Sequence, residues 1–303
     1  PLFDFESCNL GSINLTKMVV HDGKKNDIDW KKLEKTISIA IRFLDNVISS
    51  NYYLLPNIKH ITMANRKIGL GVMGWAELLI ILGIPYASEK AVELAEVLMK
   101  FIQEKSHSAS GNLAQIRGCF PSWNESTYAP NTLLRNATCN SIAPTGSISV
   151  IADTSYSIEP LYALAYKRTG ILDDKTQIEI NSIFLEKMKS LGLWTKEIQD
   201  EVIVNGSIQN IKHIPKEIKK IFETSLEIPA KYHLLHQKVF QKYTDNAVSK
   251  TINLASNTSA KEISEIYNTA WKYGLKGITV YRNGSRANQI LQPCGVNLKD
   301  KCS

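Results

Sequence analysis

A strand–helix–strand pattern near the carboxyl end constrains the fold more than any other feature of this sequence. Residues 250–254 (KTINL) and 277–281 (GITVY) are short runs rich in β-branched side chains, as β-strands are. Between them, Ser259 and Glu262 have the S-x-x-E spacing of a helix capping box, and Gly274 stands where a helix would end. Two strands joined through a helix by short connections are expected to be parallel neighbours. The apolar face of this helix is Ile263, Ile266, Tyr267, Ala270 and Trp271.

Two longer helices are predicted from apolar residues at helical spacing. The first covers residues 30–48 with Asp29 as its N-cap, and the second covers residues 89–115 with Ser88 as its N-cap. Gly118 and a proline shortly after it stop the second helix. The apolar positions of the first helix are Trp30, Leu33, Ile37, Ile41, Leu44 and Ile48.

The rest of the chain completes an α/β pattern with buried parallel strands and helices outside. The apolar run at residues 70–84 predicts a buried helix, although glycines interrupt it. Residues 137–152 predict either a strand–turn–strand segment or a strand that feeds a loop. Residues 195–232 indicate a small helical insertion, and residues 291–303 a tail.

Charge and cysteine content exclude several functional classes. The net charge is +7, but Lys and Arg are dispersed, which favours a basic solvated surface over a nucleic-acid-binding face. No apolar stretch is long enough to span a bilayer, so no membrane association is expected. Five scattered cysteines without a C-x-x-C motif or a Cys/His cluster predict a reducing, cytoplasmic location and no metal site. The chain begins at Pro1 without a leader pattern, which predicts a fragment or a processed product.

Residues 138–149 (TCNSIAPTGSIS) form the segment best suited to bind an anion. A turn that contains Pro144, Thr145, Gly146 and Ser147 at the end of a strand can present successive backbone N–H groups to a phosphate. Glycine allows close approach of the ligand, and the two hydroxyls add hydrogen-bond donors. No Walker G-x-x-x-x-G-K-[ST] motif is present. An ordinary β-turn is the alternative that the local sequence leaves open.

Cys8 is the second candidate, because it opens a glycine-containing strand pattern, ESCNLGSINL. A cysteine at this position could face the interior of a barrel as a reactive group. A lone cysteine is more often a small core residue than a reactive group, and composition does not overturn that.

Five segments resemble, in order and spacing, signature sequences of the catalytic chain of ribonucleotide reductases. The resemblance covers residues 1–290, and the last three segments are most similar to the adenosylcobalamin-dependent branch, class II. That branch has a GITVYR-like strand where the diiron-partnered branch usually has two adjacent tyrosines. The segments are ESCNLGSINL (6–15), NRKIGLGVMGWAELLI (65–80), RNATCNSIAPTGSISVIADTSYSIEP (135–160), DNAVSKTINL (245–254) and KGITVYRNGSR (276–286).

The resemblance implies a fold and a chemistry. The fold would be the C-terminal portion of a ten-stranded α/β barrel, which consists of two five-stranded parallel halves. The reaction would be reduction of a ribonucleoside di- or triphosphate at C2′, with a thiyl radical that adenosylcobalamin generates. Cys8 matches one member of the cysteine pair that supplies two electrons, and Pro144, Thr145, Gly146, Ser147 and Ile148 match the loop that holds the substrate phosphates. A thioredoxin-like reductant and a homodimer of the complete enzyme are further implications.

The resemblance also implies that essential parts lie outside the chain. The finger-loop motif Asn-Pro-Cys-Gly-Glu, with the radical cysteine, is expected upstream of residue 1, together with the other reducing cysteine. The isolated chain is therefore expected to be inactive, as the C-terminal half of a reductase. Cys294 and Cys302 do not match the family's C-terminal Cys-x-x-Cys, and Cys119 and Cys139 receive no role. Two alternatives remain: an inactive nucleotide-phosphate-binding remnant, and a fragment of a diiron-partnered class I large subunit.

Overall fold

Parallel strands flanked by helices form the part of the chain that this computed structural model describes, residues 2–23, 25–171 and 175–285. The strands are β1 (Asn9–Asn14), β2 (Val19–His21), β3 (Asn26–Ile28), β4 (Ile68–Met73), β5 (Ala165–Ile171), β6 (Lys175–Ile180), β7 (Thr251–Leu254) and β8 (Thr279–Arg282). The helices are α1 (Trp30–Ser50), α2 (Pro56–Asn65), α3 (Trp75–Ile81), α4 (Glu89–Arg117), α5 (Gly146–Ile151), α6 (Ser182–Ser190), α7 (Lys196–Asn205), α8 (Lys216–Ile221), α9 (Ala230–Lys242) and α10 (Ala260–Lys272).

Five strand segments run parallel to one another in the order β1, β4, residues 138–142, the chain from residue 246 through β7, and β8. β1 pairs with β4, and β7 pairs with β8. Residues 138–142 join the two pairs, because the Leu70 N–H donates to the Cys139 carbonyl (2.8 Å) and the Ser249 N–H donates to the Ile142 carbonyl (2.8 Å). This arrangement agrees with one five-stranded parallel half of the expected barrel.

Helix α1 packs against β1 and β4, and α4 packs against α1. Ser106 of α4 also accepts from Asn140 Nδ2 in the strand segment 138–142 at 3.0 Å. Each helix begins at the predicted cap: Asp29 accepts from the Lys32 N–H, and Ser88 accepts from the Ala91 N–H. The apolar residues predicted from Leu33 to Ile48 are all buried. The two helix predictions are therefore confirmed, and helical spacing of apolar residues determined which face became the core.

Removal of the α1 cap is expected to lower stability measurably. In Asp29→Ala the Lys32 N–H loses the acceptor that lies 2.9 Å away, and we expect a loss of about 1 kcal/mol in the free energy of unfolding. Urea unfolding followed by tryptophan fluorescence would measure the change. Glu104→Ala is the matched control, because Glu104 is an exposed acid within α4 in a 3.9 Å ion pair with Lys100; equal losses in both variants would contradict a capping role.

The prediction of a buried helix at residues 70–84 is wrong for the first part of that range. Residues 68–73 form β4, which is buried along its whole length, and only Trp75–Ile81 is helical. A Cβ atom at Gly71 would overlap the carbonyl oxygen of Ser141, so the glycine is required for the neighbouring strand to approach. Gly74 then has φ +78° and redirects the chain into α3. A continuous apolar run does not by itself distinguish a buried strand from a buried helix.

Residues 137–152 follow the second of the two predicted alternatives, a strand that feeds a loop. The strand segment ends at Ile142, and the chain enters the short helix α5 at Gly146. The strand–turn–strand alternative is therefore wrong. The helix forms because Thr145 takes a left-handed conformation (φ 58°) and its carbonyl accepts from the Ser149 N–H.

The carboxyl-terminal strand–helix–strand prediction is confirmed. Thr251 lies opposite Thr279 in the parallel pair of β7 and β8, and the capping box of Ser259 and Glu262 is complete in both directions. Helices α6, α7 and α8 follow the β5–β6 hairpin. The proposed division into a barrel part, an insertion and a tail stays a prediction, and residues 291–303 lie outside the described residues. No helix among the described residues combines the length and apolar character needed to cross a membrane.

Candidate functional site

Cys8 lies at the amino-terminal end of β1, beside β4 and the turn that precedes β7. Nδ2 of Asn246 donates to its Sγ at 3.8 Å, and the thiol donates to the Asn9 carbonyl at 3.7 Å. The absence of a side chain at Gly69 leaves room for the sulfur. A Cβ atom at that position would lie only 3.3 Å from Sγ, which is closer than ordinary van der Waals contact. The thiol is half-buried, so it is positioned by polar contacts at the margin of the core.

The surroundings of Cys8 keep its side chain protonated. Burial raises the pKa of the thiol to about 11, the ammonium of Lys67 acts in the opposite direction, and the carboxylate of Glu6 adds to the increase. At neutral pH the residue is therefore a thiol and not a thiolate. Such a group can supply electrons and protons when a reaction demands them, but it is a poor nucleophile at rest.

Glu6 and Lys67 form a buried ion pair next to this thiol. Lys67 Nζ lies 2.7 Å from Glu6 Oε2, and the Asn65 amide donates to Oε1 at 2.6 Å. Burial alone would raise the pKa of Glu6, but the hydrogen bonds from Lys67, Asn65 and the Phe3 N–H lower it below the usual value. Sequence reasoning missed this pair. The two residues stand in separate segments, ESCNL and NRKIGL, 61 positions apart, and no local pattern links them.

The loop at residues 144–148 exposes backbone donors to solvent. It follows the strand segment 138–142, and Gly146, Ser147 and Ile148 form the first turn of α5. The first N–H groups of an α-helix have no acceptor within the helix, so they remain available to a ligand. Pro144, Gly146 and Ser147 are exposed. This geometry is compatible with the expected phosphate loop.

The hydroxyl of Thr145 does not face the ligand side of the loop, although the sequence predicted it as a hydrogen-bond donor to the anion. The residue is buried, and its Oγ1 accepts from the Ser157 N–H at 2.7 Å and from the Ser149 hydroxyl at 2.7 Å. The side chain therefore points inward and fixes the loop, while the hydroxyl of Ser147 remains at the surface. The left-handed backbone of Thr145 is held in place by these two bonds.

The segment after α5 is anchored by two carboxylates. Glu77 accepts from the Thr154 hydroxyl at 2.7 Å and from the Ser155 N–H at 3.0 Å. Glu159 accepts from Lys250 Nζ at 2.5 Å, and this lysine is buried. Burial lowers the pKa of Lys250, although Glu159 acts in the opposite direction. Both ends of the segment behind the loop are thus fixed to β-strands and α3.

Cys8 and the loop lie at opposite ends of the parallel strands. Cys8 precedes β1, whereas residues 144–148 follow the carboxyl end of the 138–142 segment. The structure does not bring them into contact. Five strand residues correspond to about 16 Å, so a ligand that engages both would have to lie along the strands.

One cluster in the described residues has the composition of a metal site. His107, Cys139 and Asp245 bring one potential ligand atom each within 4.8 Å of the others. The carboxylate already accepts from His107 Nε2 (3.0 Å) and from the Cys139 N–H (2.7 Å). Burial raises the pKa of the Cys139 thiol far above its usual value. These contacts hold the strand segment in place, and we assign no metal to them.

Of the remaining cysteines, the structure describes Cys119 and Cys139. Cys119 is half-buried after α4, and Cys139 is fully buried in the core. Cys294 and Cys302 lie outside the described residues.

Comparison with known proteins identifies the fold and the family. The family described as "Ribonucleotide reductase, barrel domain" matches residues 3–134 and 131–281.

The chain belongs to the ribonucleotide reductase family.

Two curated relatives and one solved structure define its position within this family. A vitamin B12-dependent ribonucleoside-diphosphate reductase of Thermoplasma acidophilum is 48% identical over 96% of this chain and 37% of the relative. The enzyme of the same name from Mycobacterium tuberculosis (strain CDC 1551 / Oshkosh) is 44% identical over 96% of this chain and 41% of the relative. The class Id ribonucleotide reductase alpha subunit of Actinobacillus ureae has a TM-score of 0.76 at 28% identity, over 91% of this chain and 50% of that structure.

These comparisons confirm the family resemblance and the expected α/β barrel fold of ribonucleotide reductases. The similarity to the B12-dependent relatives is much higher than to the class Id subunit, in agreement with the predicted branch. The chain spans about two fifths of the length of the curated relatives, 37% and 41% for the two named above. The roles of Cys8 and of residues 144–148 stay predictions.

Proposed function

We propose that this chain supplies one reducing cysteine and the phosphate-binding loop of an adenosylcobalamin-dependent ribonucleotide reductase. The observation that supports it most strongly is the position of Cys8: a half-buried thiol that an amide donor holds at the start of a barrel strand. The names of the relatives favour a ribonucleoside diphosphate over a triphosphate as substrate.

In the proposed reaction, Cys8 and a second cysteine are oxidised while the nucleotide is reduced. The two thiols supply two electrons and two protons, and a disulfide forms between their sulfurs. The C2′–OH bond breaks, the hydroxyl leaves as water, and C2′ gains a hydrogen in its place. A thiol that retains its proton at neutral pH is suited to this role, because the proton is needed when the hydroxyl leaves.

The loop at residues 144–148 is proposed to bind the substrate phosphates. The N–H groups of Gly146, Ser147 and Ile148 and the hydroxyl of Ser147 are the donors. Thr145 fixes the loop from behind through its bonds to Ser149 and Ser157. A loop that is rigid before the substrate arrives loses less entropy on binding.

Adenosylcobalamin would supply the radical chemistry when it is bound. The polar groups near Cys8 do not form a recognisable corrin site, since Glu6 and Lys67 bond to each other and Asn246 bonds to Thr138 and the sulfur. We therefore assign none of the described residues to the cofactor.

The proposal also names partners. The second reducing cysteine and the radical cysteine would come from the N-terminal part of the enzyme, which corresponds to sequence that the curated relatives have beyond the matched region. A thioredoxin-like dithiol would reduce the disulfide after each turnover, which is consistent with a cytoplasmic location. The complete enzyme is proposed to be a homodimer.

Substitution of Gly146 tests the loop. Gly146→Val places a branched side chain in front of the first-turn N–H groups, and we expect KM for the nucleotide to rise about tenfold or more because the backbone can no longer approach the phosphates. No atom lies within 4 Å of the added Cβ, so the fold should tolerate it. Gly277→Val is the matched control, since its Cβ position is equally open. An unchanged KM in Gly146→Val would contradict the loop assignment.

The function is tested in a chimera in which this chain replaces the matching 292 residues of the Thermoplasma acidophilum relative. Deoxynucleotide formation is measured with and without adenosylcobalamin, and the parent enzyme serves as the positive control. The proposal predicts product only with the cofactor. Activity that instead requires a separate radical-generating subunit would support a class I enzyme, and nucleotide binding without turnover would support an inactive remnant.

A further inference from the structure

Asn246 lies in contact with the sulfur that the proposed reaction oxidises, although 238 residues separate it from Cys8 along the chain. Its Nδ2 donates to Thr138 Oγ1 at 3.1 Å and to Cys8 Sγ at 3.8 Å. The amide thus bridges the strand segment 138–142 and the start of β1.

Neighbouring bonds determine which end of the Asn246 amide faces the sulfur. The hydroxyl of Thr138 donates its one proton to the Ile68 carbonyl at 3.1 Å. Its oxygen can therefore only accept from Asn246, which requires the NH₂ group and not the carbonyl oxygen on this side. The second N–H of the same group then points to Cys8.

The backbone of Asn246 is fixed from three directions. Its N–H donates to the Asn140 carbonyl at 3.0 Å, and its carbonyl accepts from Gln241 at 2.8 Å and from Lys276 at 3.3 Å. A donor fixed in this way needs little reorganisation when charge develops on its partner.

We infer that Asn246 stabilises negative charge on the Cys8 sulfur and so assists its oxidation; this rests on the proposed function. When the thiol loses its proton, the sulfur becomes an anion, and hydrogen bonds to an anion are stronger than those to a neutral group. The ionisable groups that influence Cys8 are Lys67 and Glu6, which form an ion pair with each other, and the buried Cys139 thiol. A neutral amide can hold the sulfur without keeping it permanently ionised.

The inference is tested on this chain by the rate at which iodoacetamide alkylates Cys8, measured by peptide mass spectrometry at one pH well below the pKa of the thiol. The rate is proportional to the thiolate fraction. Asn246→Leu removes the donor but keeps the branched shape and the number of heavy atoms, and Asn246→Asp replaces it with a negative charge. Alkylation of Cys119 in the same molecules is the internal reference.

We expect the Cys8 rate, relative to Cys119, to fall roughly tenfold in Asn246→Leu, which corresponds to about one pKa unit, and further in Asn246→Asp. Ser141→Ala is the matched control: it removes a bond from the strand segment 138–142 to the carbonyl of Ala247, next to Asn246, and leaves the Asn246 amide in place, so its rate should be unchanged. A relative rate in Asn246→Leu that stays within about twofold of the unsubstituted chain, or increases, would overturn the inference.

This experiment separates the inference from the proposed function. If alkylation follows the prediction but Cys8 proves dispensable for deoxynucleotide formation, the function is wrong and the stabilisation of the sulfur remains. If Cys8 is essential but alkylation is insensitive to Asn246, the function stands and the inference fails.

Discussion

Cys8→Ser in the chimera with the Thermoplasma acidophilum relative is expected to abolish multiple turnover with a dithiol reductant. A serine hydroxyl can neither form a disulfide nor supply electrons, so the loss should reach roughly three orders of magnitude or more. The serine is nearly the same size, and the cysteine is only half-buried, so the fold should be retained. Initial rates of deoxynucleotide formation would measure the effect.

The matched control for this variant is Cys119→Ser, which replaces a second half-buried cysteine outside the proposed site. Its turnover should be close to that of the chimera itself. If Cys8→Ser turns over as fast as the control, Cys8 is not a reducing cysteine, and the proposed role of this chain loses its main support.

The largest effect on stability is expected for Asp45→Ala. Asp45 is fully buried and accepts from Arg66 Nε at 2.8 Å and from Arg117 Nη1 at 3.0 Å, with Arg135 Nε at 3.6 Å. Without the carboxylate, a buried guanidinium and two partly buried ones would face each other unpaired. We expect a loss of about 3–5 kcal/mol in the free energy of unfolding, measured by urea denaturation.

Glu34→Ala is the matched control for Asp45→Ala, because Glu34 lies on the same helix and pairs with Lys105 at 2.7 Å in an exposed position. Exposed pairs contribute less than about 1 kcal/mol. If the two variants lose similar amounts of stability, the Asp45 cluster is not a buried electrostatic centre. The cluster matters for the site because two residues bonded to Asp45 are close in the chain to site residues. Arg66 directly precedes Lys67, and Asn136 stands two residues before Thr138.

Local sequence rules predicted the amphipathic elements and failed where burial was uniform. α1 and α4 present alternating apolar and polar faces, so their positions and caps could be predicted. The β7–β8 pair followed from the short connections around a capped helix. β4 could not be recognised in the same way, because all of its residues are buried and it shows no periodicity.

The candidate site was predictable only in part, for a physical reason. The loop at 144–148 has a local signature, and both it and Cys8 were assigned by resemblance to a family. The contact of Asn246 with Cys8 joins residues 238 positions apart, and the Glu6–Lys67 pair joins residues 61 apart. Such contacts depend on how the strands are ordered in the sheet, which no local pattern specifies.

The most direct test of the central claim is a single turnover of the prereduced chimera with adenosylcobalamin and nucleotide, without external dithiol. The product and the redox state of Cys8 are quantified in the same sample by alkylation and peptide mass spectrometry. We predict that Cys8 enters a disulfide in proportion to the deoxynucleotide formed. Deoxynucleotide formation that leaves Cys8 free to be alkylated would contradict the account.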